Sequence, residues 1–322
     1  MEMKKPSKEE KISELSKKIA EQDATDVVLL NAPLERGMDN KFMIEANKRR
    51  KRENLLLMLV TPGGDADTAY RIARFAQEHY EKFTVFVSGY CKSAGTLCVL
   101  GAQEIVVSDQ GELGPLDVQF YKKDELDELS SGLVIGEALD SLQDQAFAMF
   151  EQYMLAMKRK SGGQISLKMA TATAASLVAG LYEPIYRQID PMLIGDVGRS
   201  MAIAKDYGTR LLAGSQNCSE ENLQALIESY PSHGFVIDRM EAEQIFNHVR
   251  APSDDEERLA RVLAPRSRVP LTQDKSVIEF LSPPPPKVQA TQETANGQGA
   301  AQEAQQGAES GSAAGDPRRA AA

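Results

Sequence analysis

Two short turns hold the residues whose types and spacing suit chemistry. One is Thr61-Pro62-Gly63-Gly64-Asp65 and the other is Lys92-Ser93-Ala94-Gly95-Thr96. Acyl transfer needs an exposed nucleophile, a base, and backbone N–H groups aimed at a developing oxyanion. A serine at a helix start can supply the first. The N–H of Ala94 after it points outward, where the helix offers no internal acceptor. The pair Gly63-Gly64 supplies backbone that a substrate can approach closely, because neither residue carries a Cβ. Each motif also has a plain structural reading, since Pro-Gly-Gly is a common turn and serine before a helix is a common N-cap. Their combination within one β-α-β unit is much less common.

The sequence around the turns predicts how they meet. Residues 55–60 (LLLMLV) form a continuous apolar run that stops at Thr61-Pro62, the pattern of a strand buried on both faces. Residues 65–80 read as a helix capped by Asp65 or Asp67, with Ala69, Ile72, Ala73 and Ala76 on one face. A strand over 83–89, a small-residue helix over 93–102 and a strand over 104–109 follow. The order β-α-β-α-β implies right-handed crossovers and an α/β core. Parallel neighbours would bring both turns to the carboxyl ends of adjacent strands, where open α/β sheets place their sites.

Outside this unit, 7–22 reads as a helix with a thin stripe (Ile12, Leu15, Ile19), suited to a partner surface or a neighbouring subunit. Residues 26–34 read as a strand and 35–54 as a polar, partly helical connection. A long amphipathic helix spans 137–160 and is stopped by Ser161-Gly162-Gly163. Two or three helices occupy 166–229, then a strand at 234–238 and a helix at 239–249. The expected organisation is an N-terminal helix over 1–25, an α/β domain over 26–250, a mixed linker over 251–282 and a low-complexity tail over 283–322. Within the linker, VIEFL (277–281) could dock back or bind a partner. The tail is expected to be disordered, because its composition buries too little surface to offset ordering entropy.

Composition narrows the function. The 322 residues carry 47 acidic and 37 basic side chains, a formal charge of −10. That balance argues against nucleic acid, whose phosphates need a basic face. The three cysteines lack CxxC spacing and read as reduced and structural. No His/Cys pair has metal-ligand spacing, and the Walker A and dinucleotide glycine patterns are missing, so neither a metal nor a cofactor is expected. The charged N-terminus has no apolar segment of the secretory kind, and no run approaches the ~18 apolar residues of a membrane span. A cytoplasmic protein is expected, with peripheral membrane contact left open.

The stretch LVTPGGDADTAYRIARFA, followed by VFVSGYCKSAGTLCVLGAQEIVVSDQGELGPLD, resembles the Clp/crotonase-fold serine peptidases. These include ClpP and the signal peptide peptidase SppA, and the serine dehydrogenase proteinase (SDH) family is more similar still. The likeness spans 55–250. It implies a Clp/crotonase-like α/β fold (a ββα superhelix) with a helical C-terminal part. It also implies Ser93 as nucleophile, Gly63 as an oxyanion donor with Gly64 in the same turn, and the Ala94 N–H as second donor.

The base is the point of departure. ClpP-like enzymes use a Ser-His-Asp triad, but in the place of their histidine this chain has GELGPLDV, with Asp117 and no histidine. That stretch looks more like the turn of SppA relatives, which use a Ser-Lys dyad. By position their lysine corresponds to Lys158, with Lys160 close behind. A lysine acts as a base only when burial or a nearby cation lowers its pKa toward neutrality. Lys-Arg-Lys at a helix C-terminus is also what the helix dipole favours. His233 lies in a segment resembling the one that carries the triad aspartate of ClpP, so it is a further candidate base or orienter. His79 falls on a surface helix and His248 near the domain's end.

The resemblance therefore implies a cofactor-free serine endopeptidase, acting on peptide or protein substrates as a homo-oligomer. Two other readings stand beside it. One is a crotonase-like acyl-CoA enzyme whose turns polarise a thioester carbonyl. The other is an inactive oligomeric scaffold that recruits partners through the proline-rich tail.

Overall fold

The apolar run that precedes the first turn alternates between two cores. Leu55, Leu57 and Leu59 join one buried cluster while Leu56, Met58 and Val60 join another on the opposite face. This is the period of two that a strand imposes, with both faces covered, and it explains why the run has no polar alternation. The computed structural model of the chain describes residues 6–116, 119–121 and 129–284. Asp117 and residues 285–322 of the tail lie outside the described residues.

The chain opens with α1 (Lys8–Gln22), β1 (Thr25–Asn31), α2 (Met38–Arg49) and β2 (Asn54–Val60). Next come α3 (Ala66–His79), β3 (Lys82–Val87), β4 (Tyr90–Cys91), α4 (Ala94–Leu100), β5 (Glu104–Val107) and β6 (Glu112–Leu113). The short pair β7 (Gln119–Tyr121) and β8 (Leu129–Ser131) leads into α5 (Gly132–Lys160). The remainder is α6 (Leu167–Tyr186), α7 (Pro191–Ser215), α8 (Glu220–Glu228), α9 (Arg239–Ile245), β9 (Val249–Arg250), α10 (Asp254–Leu263) and β10 (Val277–Phe280).

The main sheet has the order β10-β1-β2-β3-β5-β9. All its pairs are parallel except β10 with β1. The expected β-α-β-α-β order is therefore present, with β2, β3 and β5 as neighbours. A small second sheet pairs β4 with β6, and Leu113 of β6 also bridges Ile237 antiparallel. Segments 90–93, 112–116 and 233–237 thus meet over the carboxyl end of β2.

Several elements differ from expectation. The stripe of α1 is met within the chain: α1 packs on α10 and β1, burying Ser16, Ile19 and Ala20. Sequence alone could not show this, because the facing half of the seam lies over two hundred residues on, as the Ser16–Leu281 bond illustrates at a separation of 265. Residues 251–282 contribute α10 and the edge strand β10, so VIEFL docks back: Leu281 N–H donates to Val27 O at 2.8 Å. The strand expected at 234–238 is a turn with a single bridge at Ile237, and the helix after it ends at Ile245. Among the described residues no helix is long and apolar enough to cross a membrane.

Candidate active site

Ser93 adopts φ 52° and ψ −117°. Gly95 N–H donates to Lys92 O at 2.8 Å. Those values define a type II′ turn with Ser93 at its first central position, a place usually given to glycine. A helix N-cap has extended backbone and a side chain bonded back into the helix. Ser93 has neither, since its side chain makes no capping bond. The cap reading therefore fails on geometry. What remains is a half-buried hydroxyl with no hydrogen-bond partner among the described residues, on backbone strained by roughly 1–3 kcal/mol.

The two turns are stitched together. Thr61 N–H donates to Tyr90 O at 2.9 Å and Lys92 N–H to Thr61 O at 3.1 Å. Gly63 (φ +107°) lies against the serine: a Cβ there would sit 2.8 Å from Ser93 Cβ and 3.3 Å from its Oγ. Gly95 is required for the same closeness from the other side, since a Cβ would meet Thr61 Cγ2 at 2.5 Å and Cys91 Sγ at 2.8 Å.

The donors divide differently from the resemblance's implication. The Gly63 N–H donates to Thr61 Oγ1 at 3.1 Å, and Gly63 O accepts from Leu34 N–H at 2.8 Å. Gly64 N–H and Ala94 N–H have no acceptor among the described residues. Gly64 is itself pinned, because a Cβ there would lie 2.6 Å from Leu34 O. The threonine hydroxyl thus occupies the expected donor, and the unbonded N–H groups are those of Gly64 and Ala94.

The candidate bases are scattered. Lys158 Nζ donates to Gly163 O at 3.3 Å and Ile165 O at 2.8 Å, closing the end of its own helix. Lys160 is exposed at the same end. His79 stacks on Phe75 with ring centroids 4.0 Å apart, at the far end of α3 from the turns. His248 is exposed beside β9. His233 is half-buried. Its carbonyl lies 3.5 Å from where a Cβ on Gly114 would stand, and that same point is 2.6 Å from Lys92 Cδ. Of the candidate bases, then, His233 is the one whose segment reaches the Ser93 turn.

The nearby Cys91 and Cys98 thiols and the Tyr90 phenol are poorly suited to proton or acyl transfer. Burial pushes the Cys98 thiol up to about 12 and Cys91 well above its ordinary value, so neither offers thiolate near neutrality. Burial, and then Glu112, also raise the Tyr90 phenol. Among the described residues no His/Cys/Asp/Glu group is arranged to hold a metal ion.

Sequence reasoning missed Lys92, Thr61, Thr96 and Glu112. Thr96 Oγ1 donates to Gly114 O at 2.7 Å, and Lys92 Nζ lies 3.4 Å from Glu112 Oε2. The available signal was Lys92 itself, a charge inside a run of small and apolar residues with no room for solvent.

Parts of the chain are similar to known proteins. Two uncharacterised proteins of Methanocaldococcus jannaschii are 40% and 38% identical to the chain, each over 63 residues. Those matches cover 20% of this chain and 22% of each relative, so the chain spans about a fifth of the curated relatives' length. Among solved structures, a mutant of the 1510-N membrane-bound stomatin-specific protease, in complex with a substrate peptide, is 13% identical at a TM-score of 0.42, over 80% of this chain and 87% of that one. The 1510-N protease from Pyrococcus horikoshii is 17% identical at a TM-score of 0.24, over 74% and 97%. Likenesses this low carry no argument. Residues 39–149, which include both turns, match the family described as ClpP-like SDH-type serine proteinase. Over that segment, about a third of the 322 residues, the chain is similar to the ClpP-like, SDH-type serine proteinases.

Proposed function

We propose that the chain is a serine peptidase that cleaves peptide or protein substrates through an acyl-enzyme on Ser93, without a cofactor. The observation that carries this reading is the unbonded Ser93 hydroxyl on strained backbone, flanked by the acceptor-free N–H groups of Gly64 and Ala94. Ser93 Oγ attacks the scissile carbonyl carbon and its proton passes to the base. Gly64 and Ala94 stabilise the oxyanion, and the leaving amine takes the proton as the C–N bond breaks. Water then repeats the sequence on the ester and returns the free serine.

His233 is the base this reading favours, on the strength of its segment's contact with Gly114 and Lys92. Lys158 would have to give up two carbonyl bonds before acting. The test is labelling with a fluorophosphonate probe read by intact mass. Wild type should gain one adduct at Ser93. His233→Ala should slow labelling about 10²-fold, and Lys158→Ala should leave the rate near wild type. The opposite pattern would assign the base to the lysine. A folded wild type that takes no adduct would move the acyl-CoA and scaffold readings forward.

We also propose that the peptidase is a homo-oligomer. The support is α6, which leaves Leu167, Met169, Leu177 and Leu181 each 50–62% exposed, an apolar face larger than a lone soluble helix usually shows. Sedimentation should give a species heavier than the 35.2 kDa chain. Aspartate at Leu177 and Leu181 should dissociate it, and a wild type that sediments as a monomer would overturn the assignment.

A further inference from the structure

One buried charge has no part in the chemistry described so far. Lys92 precedes the nucleophile and is 2% exposed. A cation sealed from water is strongly unfavourable unless its donors are met. Here they are met by groups distant in sequence. Nζ donates to Leu113 O at 2.9 Å and to Phe235 O at 2.9 Å, with Glu112 Oε2 at 3.4 Å. The stem is gripped as well: a methyl on Gly114 would stand 2.6 Å from Lys92 Cδ. Leu113 belongs to the 112–116 turn, and Phe235 lies two residues after His233.

We propose that Lys92 is a positioning residue. Its buried ammonium clamps the His233 segment and the 112–116 turn onto the Ser93 turn, and so sets the separation between base and nucleophile. This rests on the reading that Ser93 and His233 act together. The partners explain why a lysine is suited here. Two carbonyls and a carboxylate converge on one point, and an ammonium has three donors to meet them. A shorter polar side chain would not reach, and an apolar one would leave both carbonyls unmet.

The test uses the full chain with Lys92→Met, His233→Ala, the double variant and Gly114→Ala. For Lys92→Met, the saturating rate of fluorophosphonate labelling should fall roughly 10²-fold, with little change in apparent probe affinity. The double variant should label no more slowly than the slower single one, because both remove the same alignment. Amide exchange over 233–237 should accelerate in Lys92→Met. Gly114→Ala keeps the ammonium but displaces its stem, so it should show a smaller loss in the same direction; it decides the matter if Lys92→Met does not fold. Wild-type labelling by Lys92→Met, multiplicative effects in the double variant, or unchanged exchange over 233–237 would each overturn the clamp. A wild type that takes no label would instead refute the nucleophile reading, while the exchange measurement still reports on the clamp.

Discussion

Replacing Ser93 by alanine should abolish fluorophosphonate capture and reduce peptide cleavage by a factor on the order of 10⁴–10⁶, while stability stays within about 0.5 kcal/mol of wild type. Both halves follow from the hydroxyl's surroundings. On the proposed mechanism its loss removes the atom that would form the acyl-enzyme, and the neighbouring thiols Cys91 and Cys98 do not replace it, since burial raises both above their ordinary range. The fold should be indifferent because Oγ makes no capping bond and alanine occupies φ 52° no worse than serine does. A true N-cap would behave otherwise, costing about 1 kcal/mol on truncation. Ser93→Gly should be equally inactive yet melt higher than Ser93→Ala, because glycine takes a positive φ without a Cβ penalty. Intact mass and thermal melts on the two variants decide the matter. A persisting adduct would put the nucleophile elsewhere. A clear stability loss in the alanine variant would restore the cap.

How much of this was legible in the sequence depended on the range of the interactions involved. The strand before the first turn, the helix after it and the meeting of the two turns follow from local pattern. Val60 and Asp65 behave in the structure as their neighbours in sequence suggest. The division of labour between Gly63 and Gly64 did not follow, because it turns on one threonine hydroxyl choosing the first N–H. Lys92 was hidden for a different reason. Its charge inside a run of small and apolar residues was a signal without a partner, and of the two carbonyls that meet it one lies 21 residues away and the other 143. Lys158 illustrates the reverse case. Its place at a helix end suited both a base and a cap, and bonds no more than seven residues away, to Gly163 and Ile165, engage its ammonium at the end of its own helix. Where a residue's role is fixed by groups from another part of the chain, spacing and composition carry little of it.

Gly63 offers the second large effect, because two independent constraints meet there. Its φ of +107° is one that side chains rarely adopt, and a Cβ would overlap the site, 2.8 Å from Ser93 Cβ and 3.0 Å from Lys92 O. Strained backbone alone costs roughly 1–3 kcal/mol, and the overlap can be relieved only by moving the serine turn. Gly63→Ala should therefore lose both stability and activity, with labelling slowed about 10³-fold as Ser93 and the Ala94 N–H leave their alignment. Gly37 provides the control. It has a similar φ of +94°, but a Cβ there meets nothing within 4 Å. Gly37→Ala should thus lose comparable backbone stability and still label at close to the wild-type rate. If both variants label normally, the glycine turn does not abut the reacting serine in the working protein. If both lose labelling in proportion to stability, the activity reports folding alone. Only a selective loss in Gly63→Ala ties this turn to the chemistry at Ser93.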